Sequence, residues 1–186
     1  TYKWEKTPGN NQDETIVMTV ALPAFNSEKI IWLALKPLKN QKNINFDWEL
    51  ICYEEHGVSR KLLEKMSGQF PGCKRIIHKG IDPIKEGIQN GEHKGVYPLI
   101  KKWINISKDG SVNSDIFVLH ATDDYSPPNR LNIHYQHFQN PNCIFSSQPI
   151  GTFYNIKTGD SILYDYSQVD DKYKITHLNM AYRKRF

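Results

Sequence analysis

The chain has 186 residues, 39% hydrophobic and 12% aromatic, and its 24 basic and 20 acidic side chains give a net charge of +4. That composition can fill the core of one domain and excludes a largely disordered chain. A mean hydropathy of −0.60, with no apolar run near the roughly 20 residues that cross a bilayer, excludes a membrane-spanning helix. Three scattered cysteines (Cys52, Cys73 and Cys143) argue against a disulfide framework and a CxxC-type zinc site. The small, dispersed charge argues against nucleic-acid binding, and the one dense basic run, Arg183-Lys184-Arg185, reads as a solvated chain end.

Residues 1–14 read as a polar tail and 15–186 as a single domain. The first residue is Thr1, which predicts processing or excision from a longer chain. Residues 16–22 form a nearly continuous apolar run that stops at Pro23. Such a run predicts a strand buried on both faces, hence a parallel sheet. Residues 27–39 have helical apolar spacing, disturbed near the end by Pro37. A second strand is predicted over 48–53, a helix over 59–66 stopped by Gly68, and a third strand over 74–78. A Gly-rich stretch, 80–95, leads to a helix over 96–106. The fourth strand is 115–120. Ser126-Pro127-Pro128 reads as an N-cap with Pro in the first turn of a helix ending near Gln139. His134 and His137 read as part of its exposed face. Strands over 143–147, 152–156, 161–166 and 174–180 complete the chain. The result is a β-α-β-α-β-α-β-α unit followed by a strand-rich last third.

An open parallel sheet of this kind binds ligands outside the carboxyl ends of its strands. Those ends carry Pro23-Ala24-Phe25-Asn26, Glu54-Glu55-His56-Gly57 and Ala121-Thr122-Asp123-Asp124-Tyr125. Adjacent carboxylates repel, and a hard divalent cation relieves that repulsion. Mg²⁺ or Mn²⁺ takes one or two carboxylates and completes its shell with water and phosphate oxygens. A solvated, helix-capping turn is the plainer reading of Asp123-Asp124 taken alone. Asn105-Ile106-Ser107 matches a glycosylation acceptor and, without a secretion signal, reads as chance. The free cysteines and the lack of a signal predict a cytoplasmic or cytoplasm-facing location.

IVMTVALPAFNSEKIIWLALKPLKNQ resembles the opening of family-two glycosyltransferases of the GT-A fold, where an apolar strand meets an aromatic-Asn turn and a helix ending in Gln. FDWELICYEEHGVSRKLLEKM resembles their second strand with its acidic pair. DIFVLHATDDYSPPNRL is similar to the fourth strand with its DxD-type metal motif, in the TDD form of the spore-coat type, ending in Pro-x-Arg-Leu. ITHLNMAYRKRF resembles a later strand of the family.

The resemblance implies a GT-A (Rossmann-like), mostly parallel α/β sheet flanked by helices. It also implies transfer of a sugar from a UDP-, GDP- or dTDP-sugar donor to a glycan or protein hydroxyl, with Mn²⁺ or Mg²⁺ and with inversion. By the same resemblance Phe25 stacks on the nucleobase, and Glu55, where relatives carry Asp, hydrogen-bonds it. Asp123 lies near ribose and metal, and Asp124 ligates the metal. Pro23 and Ala24 line the turn through their backbone, and Lys94 is near the phosphate-facing basic position. His177 matches a late metal-ligating histidine, with a hydrogen-bonded strand histidine as the plainer alternative. Ala121 stands where many relatives carry the first Asp of DxD.

The family's catalytic base lies beyond the strand matched by 176–183. Three sources stay open: a part beyond Phe186; Asp165, Asp170 or Asp171; or a chain that binds donor without efficient transfer. The rival functions are another metal-dependent nucleotide-using transferase, and a non-catalytic module binding carbohydrate or protein. No GxGxxG or P-loop supports the first rival.

Overall fold

In the computed structural model the described residues are 5–6, 16–24, 27, 29–54, 59–80, 107–108, 112, 114–147, 150–155, 157–165 and 180–184. In chain order they form β1 (Glu5–Lys6), β2 (Met18–Ala24), α1 (Trp32–Lys39), β3 (Trp48–Glu54), α2 (Arg60–Met66), β4 (Cys73–Gly80), β5 (Ile116–Leu119), α3 (Arg130–Phe138), β6 (Phe145–Ser147), β7 (Ile150–Tyr154), β8 (Ser161–Asp165) and β9 (Met180–Arg183). The Gly-rich stretch and the helix expected over 96–106 lie outside the described residues.

Seven strands make one sheet in the order β1-β4-β3-β2-β5-β9-β6, and β7 pairs with β8 in a separate two-stranded sheet. The four strands β4, β3, β2 and β5 run parallel, whereas β9 is antiparallel to both β5 and β6. Within the stretch read as a polar tail, Glu5–Lys6 pairs with Ile77 and His78 as an antiparallel edge strand. Edge pairing uses the backbone alone, so no apolar pattern announced it.

All seven residues of β2 are buried, as its continuous apolarity predicts for a strand covered on both faces. On one face Met18, Val20 and Leu22 join Trp48, Leu50, Cys52, Ile116 and Val118. The three described helices pack here, through Ala34, Leu35 and Leu38 of α1, Leu63 of α2, and Leu131 and Phe138 of α3. The opposite face carries Ala21, Ile51, Ile77, Phe117 and Leu119. Toward the amino ends of the strands this second face is polar. Thr19 Oγ1 donates to Glu49 Oε1 at 2.6 Å, and Arg75 Nε donates to Glu49 Oε2 at 2.8 Å, all within the buried interior.

The first strand continues through Pro23 rather than stopping there. The Ala21 carbonyl accepts the His120 N–H on the β5 side of β2. Two residues on, Pro23 faces the same side, and the β2–β5 ladder has already ended at Ala21–Leu119. The missing proline N–H therefore breaks no rung. Helix α1 starts at Trp32 instead of residue 27, because the Ser27 carbonyl first takes the N–H groups of Ile30 and Ile31 in a turn.

Helix α3 also starts late, at Arg130. Ser126 does not cap it, and Asn129 at the N-cap makes no side-chain capping bond. The Pro127 carbonyl accepts Gln41 Nε2 at 2.7 Å and the Pro128 carbonyl accepts the Lys42 N–H at 2.7 Å. The diproline segment is thus pinned along the end of α1. Arg183 is no solvated chain end. It lies half-buried in β9, donates to the Phe138 carbonyl at 2.5 Å, and sits 5.6 Å from the centre of that ring.

Candidate functional site

The carboxyl ends of β2, β3, β4 and β5 lie side by side along one edge of the sheet. Pro23 and Ala24 end β2, both buried, and β2 extends beyond the last β5 rung toward the segment 120–125. Ser27 and Thr122 join the two loops by a hydroxyl–hydroxyl bond of 2.9 Å. The turn after β5 closes on itself: the Ala121 N–H donates to Asp124 Oδ2 at 3.2 Å, and the Asp124 N–H donates to the Ala121 carbonyl at 3.2 Å. Asp123 is exposed and Asp124 half-buried, while Tyr125 is 69% exposed.

Beneath this turn lies a buried polar pair that sequence reasoning missed. Arg130 and His120 are both fully buried. Arg130 Nη1 lies 3.0 Å from His120 Nδ1, and its Nη2 donates to the Leu119 carbonyl. A guanidinium only donates, so Nδ1 accepts and the imidazole proton sits on Nε2. His120 Nε2 then donates to the Ala34 carbonyl, 3.0 Å away in α1. Burial, then the Arg130 charge, push the His120 pKa down to about 3, against the Ala34 bond. The imidazole is neutral at pH 7. Burial lowers Arg130 to about 10, and the Asp124 carboxylate opposes that shift, which leaves the guanidinium charged. The only sequence signal for this pair was the Arg of Pro-x-Arg-Leu.

Of the acidic pair after the second strand, Glu54 is among the described residues. Glu54 is buried, and its two carboxylate oxygens accept the Ser59 N–H at 2.9 and 3.0 Å, at the start of α2. His78 Nε2 lies 3.3 Å from Glu54 Oε2. This carboxylate is satisfied from within the protein and does not call for a metal ion.

His134 is fully buried rather than exposed. Its Nδ1 lies 2.8 Å from Ser146 Oγ, and the exposed His137 places Nδ1 2.7 Å from the same hydroxyl. Desolvation, then Arg130 and His137, lower His134 to about 3. Asp165 ends β8 in the separate two-stranded sheet and is exposed. Phe25, Glu55, Lys94, Asp170, Asp171 and His177 lie outside the described residues.

Among the described residues no group of three or more His, Cys, Asp or Glu could hold a metal ion. What the β5 turn offers is two neighbouring carboxylates on one rigid turn. That donor set fits a hard cation whose remaining ligands are water and phosphate, and does not fit a site made wholly of protein ligands. No described helix is long and apolar enough to cross a membrane.

No family model matches the chain. No curated protein sequence matches it either. Solved structures do. The mannosyltransferase PcManGT from Pyrobaculum calidifontis, in complex with GDP-Man and Mn²⁺, is 13% identical; the match covers 99% of this chain and 48% of that one, with a TM-score of 0.58. S. aureus TarS 1-349 is 13% identical over 91% of this chain and 47% of that one, with a TM-score of 0.56. The same TarS fragment in complex with UDP gives a TM-score of 0.55 at 13% identity and the same coverage. The chain therefore spans about half the length of these three structures. Sheet order, helix placement and these likenesses agree that the chain has the α/β fold of GT-A-type glycosyltransferases.

Proposed function

We propose that this chain is the nucleotide-sugar-binding part of a glycosyltransferase. The observation that carries the reading is the Asp123–Asp124 turn. It stands on the carboxyl edge of a GT-A-type sheet, tied to the loop after β2 through Ser27 and Thr122. Its substrates are a nucleoside diphosphate sugar (UDP-, GDP- or dTDP-linked) and a hydroxyl acceptor on a glycan or protein, with inversion at the transferred carbon. PcManGT was solved with GDP-Man and Mn²⁺ and TarS with UDP or UDP-GlcNAc, which supports a nucleoside diphosphate in the same place here.

Asp124, with Asp123 beside it, would hold Mn²⁺ or Mg²⁺. When bound, such an ion neutralises negative charge on the diphosphate. The chain's own residues do the rest of the donor-side work. The Ala121–Asp124 bonds fix the Asp124 carboxylate before ligand arrives, and Ser27–Thr122 holds the two loops at one spacing. Pro23 and Ala24 bring bare backbone to the nucleotide, with Phe25 on the base, Glu55 on its polar edge and Lys94 toward the phosphates. His177 is a further candidate ligand for the ion. The base that deprotonates the acceptor is Asp165, Asp170 or Asp171, or comes from a part of the protein beyond these residues.

The test is thermal stabilisation by UDP, GDP, dTDP and CDP, each with and without Mn²⁺, on wild type and Asp124→Ala. A ligand at 100 times its Kd adds about 2.7 kcal/mol of apparent stability. A Mn²⁺-dependent shift with one nucleotide, lost in Asp124→Ala, is the expected result and names the donor class. No shift with any nucleotide would overturn the reading and favour a carbohydrate- or protein-binding module.

A further inference from the structure

Two adjacent carboxylates on one turn repel each other. A buried cation is bonded to the strand end from which that turn springs. Arg130, the first residue of α3, is fully buried. Its fork holds the backbone at the last residue of β5 through the Leu119 carbonyl, and holds His120 through Nδ1 at 3.0 Å. His120 hands the connection on to Ala34 in α1. The turn closed by the reciprocal Ala121–Asp124 bonds begins two residues after Leu119.

A buried guanidinium is expensive to desolvate, and an apolar side chain of similar length would pack at less cost. This one is bonded to the backbone at Leu119, two residues before the Ala121–Asp124 turn, and the Asp124 carboxylate acts on its charge.

We propose that Arg130 is a positioning residue for the Asp123–Asp124 turn, acting with His120, and that the gain in nucleoside diphosphate affinity supplied by Mn²⁺ depends on it. Arg130 touches neither nucleotide nor metal. It keeps both carboxylates in place, against their mutual repulsion, while the site is empty. The proposal rests on the glycosyltransferase reading above. Groups that orient metal-ligating carboxylates from behind typically control 10–100-fold in metal affinity or activity.

The experiment is calorimetric titration of the full chain with the diphosphate that wild type binds, in Mn²⁺ and again in EDTA. It is run on wild type, Arg130→Met and Arg130→Lys. The readout is the ratio of the two affinities, which a general loss of stability would not change. In Arg130→Met the expected ratio falls about tenfold or more, while the affinity in EDTA stays within about twofold. Arg130→Lys keeps the charge but loses the fork, and its ratio should fall between those of Arg130→Met and wild type. If Arg130→Met fails to fold, the lysine variant carries the test by itself, with a reduced ratio expected.

A ratio equal to wild type in the folded variants overturns the proposal and leaves the glycosyltransferase reading intact. A wild type that binds no nucleoside diphosphate overturns both.

Discussion

The Leu131 N–H donates to Gln41 Oε1 at 3.0 Å, across 90 residues of sequence, while Gln41 Nε2 donates to the Pro127 carbonyl at 2.7 Å. One buried amide thus satisfies both a helix-start donor of α3 and an acceptor in the segment that follows Asp124. Gln41→Met keeps the length and removes both bonds; the Pro127 carbonyl still accepts the Arg130 N–H at 3.0 Å, so the buried Leu131 N–H is the group that loses its partner. The expected loss is about 1–3 kcal/mol, the cost of that one orphaned donor. Urea unfolding of the two proteins measures it, and a loss below about 0.5 kcal/mol would show that water replaces the amide.

Gly72 has φ +71°, and a Cβ there would lie 2.3 Å from Ile44 Cγ2 and 2.7 Å from the Phe46 carbonyl oxygen. Gly68 has nearly the same backbone, φ +78°, but its Cβ would meet open space. The two alanine variants separate conformational strain from steric overlap. Gly68→Ala should cost about 1–2 kcal/mol, the left-handed penalty alone. Gly72→Ala should add about 1–3 kcal/mol for overpacking. Thermal melts of both variants decide it, and equal costs would mean that the chain between α1 and β3 yields freely.

Stability should fall on acidification below neutral pH. His120 and His134 ionise near 3 in the fold, against an ordinary value of 6.5. As pH drops below about 6.5 the unfolded chain binds protons that the folded chain refuses, so acid favours unfolding. The stabilisation is fully present above about 6.5 and is lost progressively down to about 3. Each histidine contributes a slope of at most about 1.4 kcal/mol per pH unit in that window. Denaturant midpoints at pH 7.5, 5.5 and 4.5 test this, with His134→Gln expected to remove about half of the histidine slope. A flat profile would mean that the imidazoles are solvated.

Glu49 is fully buried and receives the Arg75 guanidinium and the Thr19 hydroxyl. Removing Arg75 strands a carboxylate in the sheet interior. Arg75→Met should therefore cost about 3–5 kcal/mol, and adding Glu49→Leu should recover most of it. The double-mutant cycle reads the coupling. Additive losses would show that the two charges are stabilised independently.

The order of strands and helices was legible because apolar runs and their period reflect burial directly: β2 and β5 are apolar where they are buried on both faces. The Asp123–Asp124 turn was legible for the same reason, since it follows β5. Residues whose burial contradicts their chemistry were not. Arg130 and His134 look like the polar side of an amphipathic helix, yet both are fully buried. Partners such as Leu119, His120 and Ser146 make that burial tolerable, and no local pattern reveals partners distant in the chain. Glu54 likewise resembled half of a ligand pair, although its oxygens are occupied by the Ser59 N–H only five residues ahead. Edge strand β1 carries no pattern because backbone pairing requires none.

The insertion of β9 between β5 and β6 has a consequence for how the protein is made. Strand β6 ends at Ser147, and the neighbour that connects it to the sheet begins 33 positions later (180 − 147), at Met180. At about 5–20 residues per second, synthesis takes roughly 2–7 seconds to cover that distance. Throughout that interval β5 and β6 both present unpaired backbone, a template for pairing with another chain. A nascent chain stalled in that window, or a product truncated before residue 180, would keep the Asp123–Asp124 turn after β5 but carry two open edges instead of a continuous sheet.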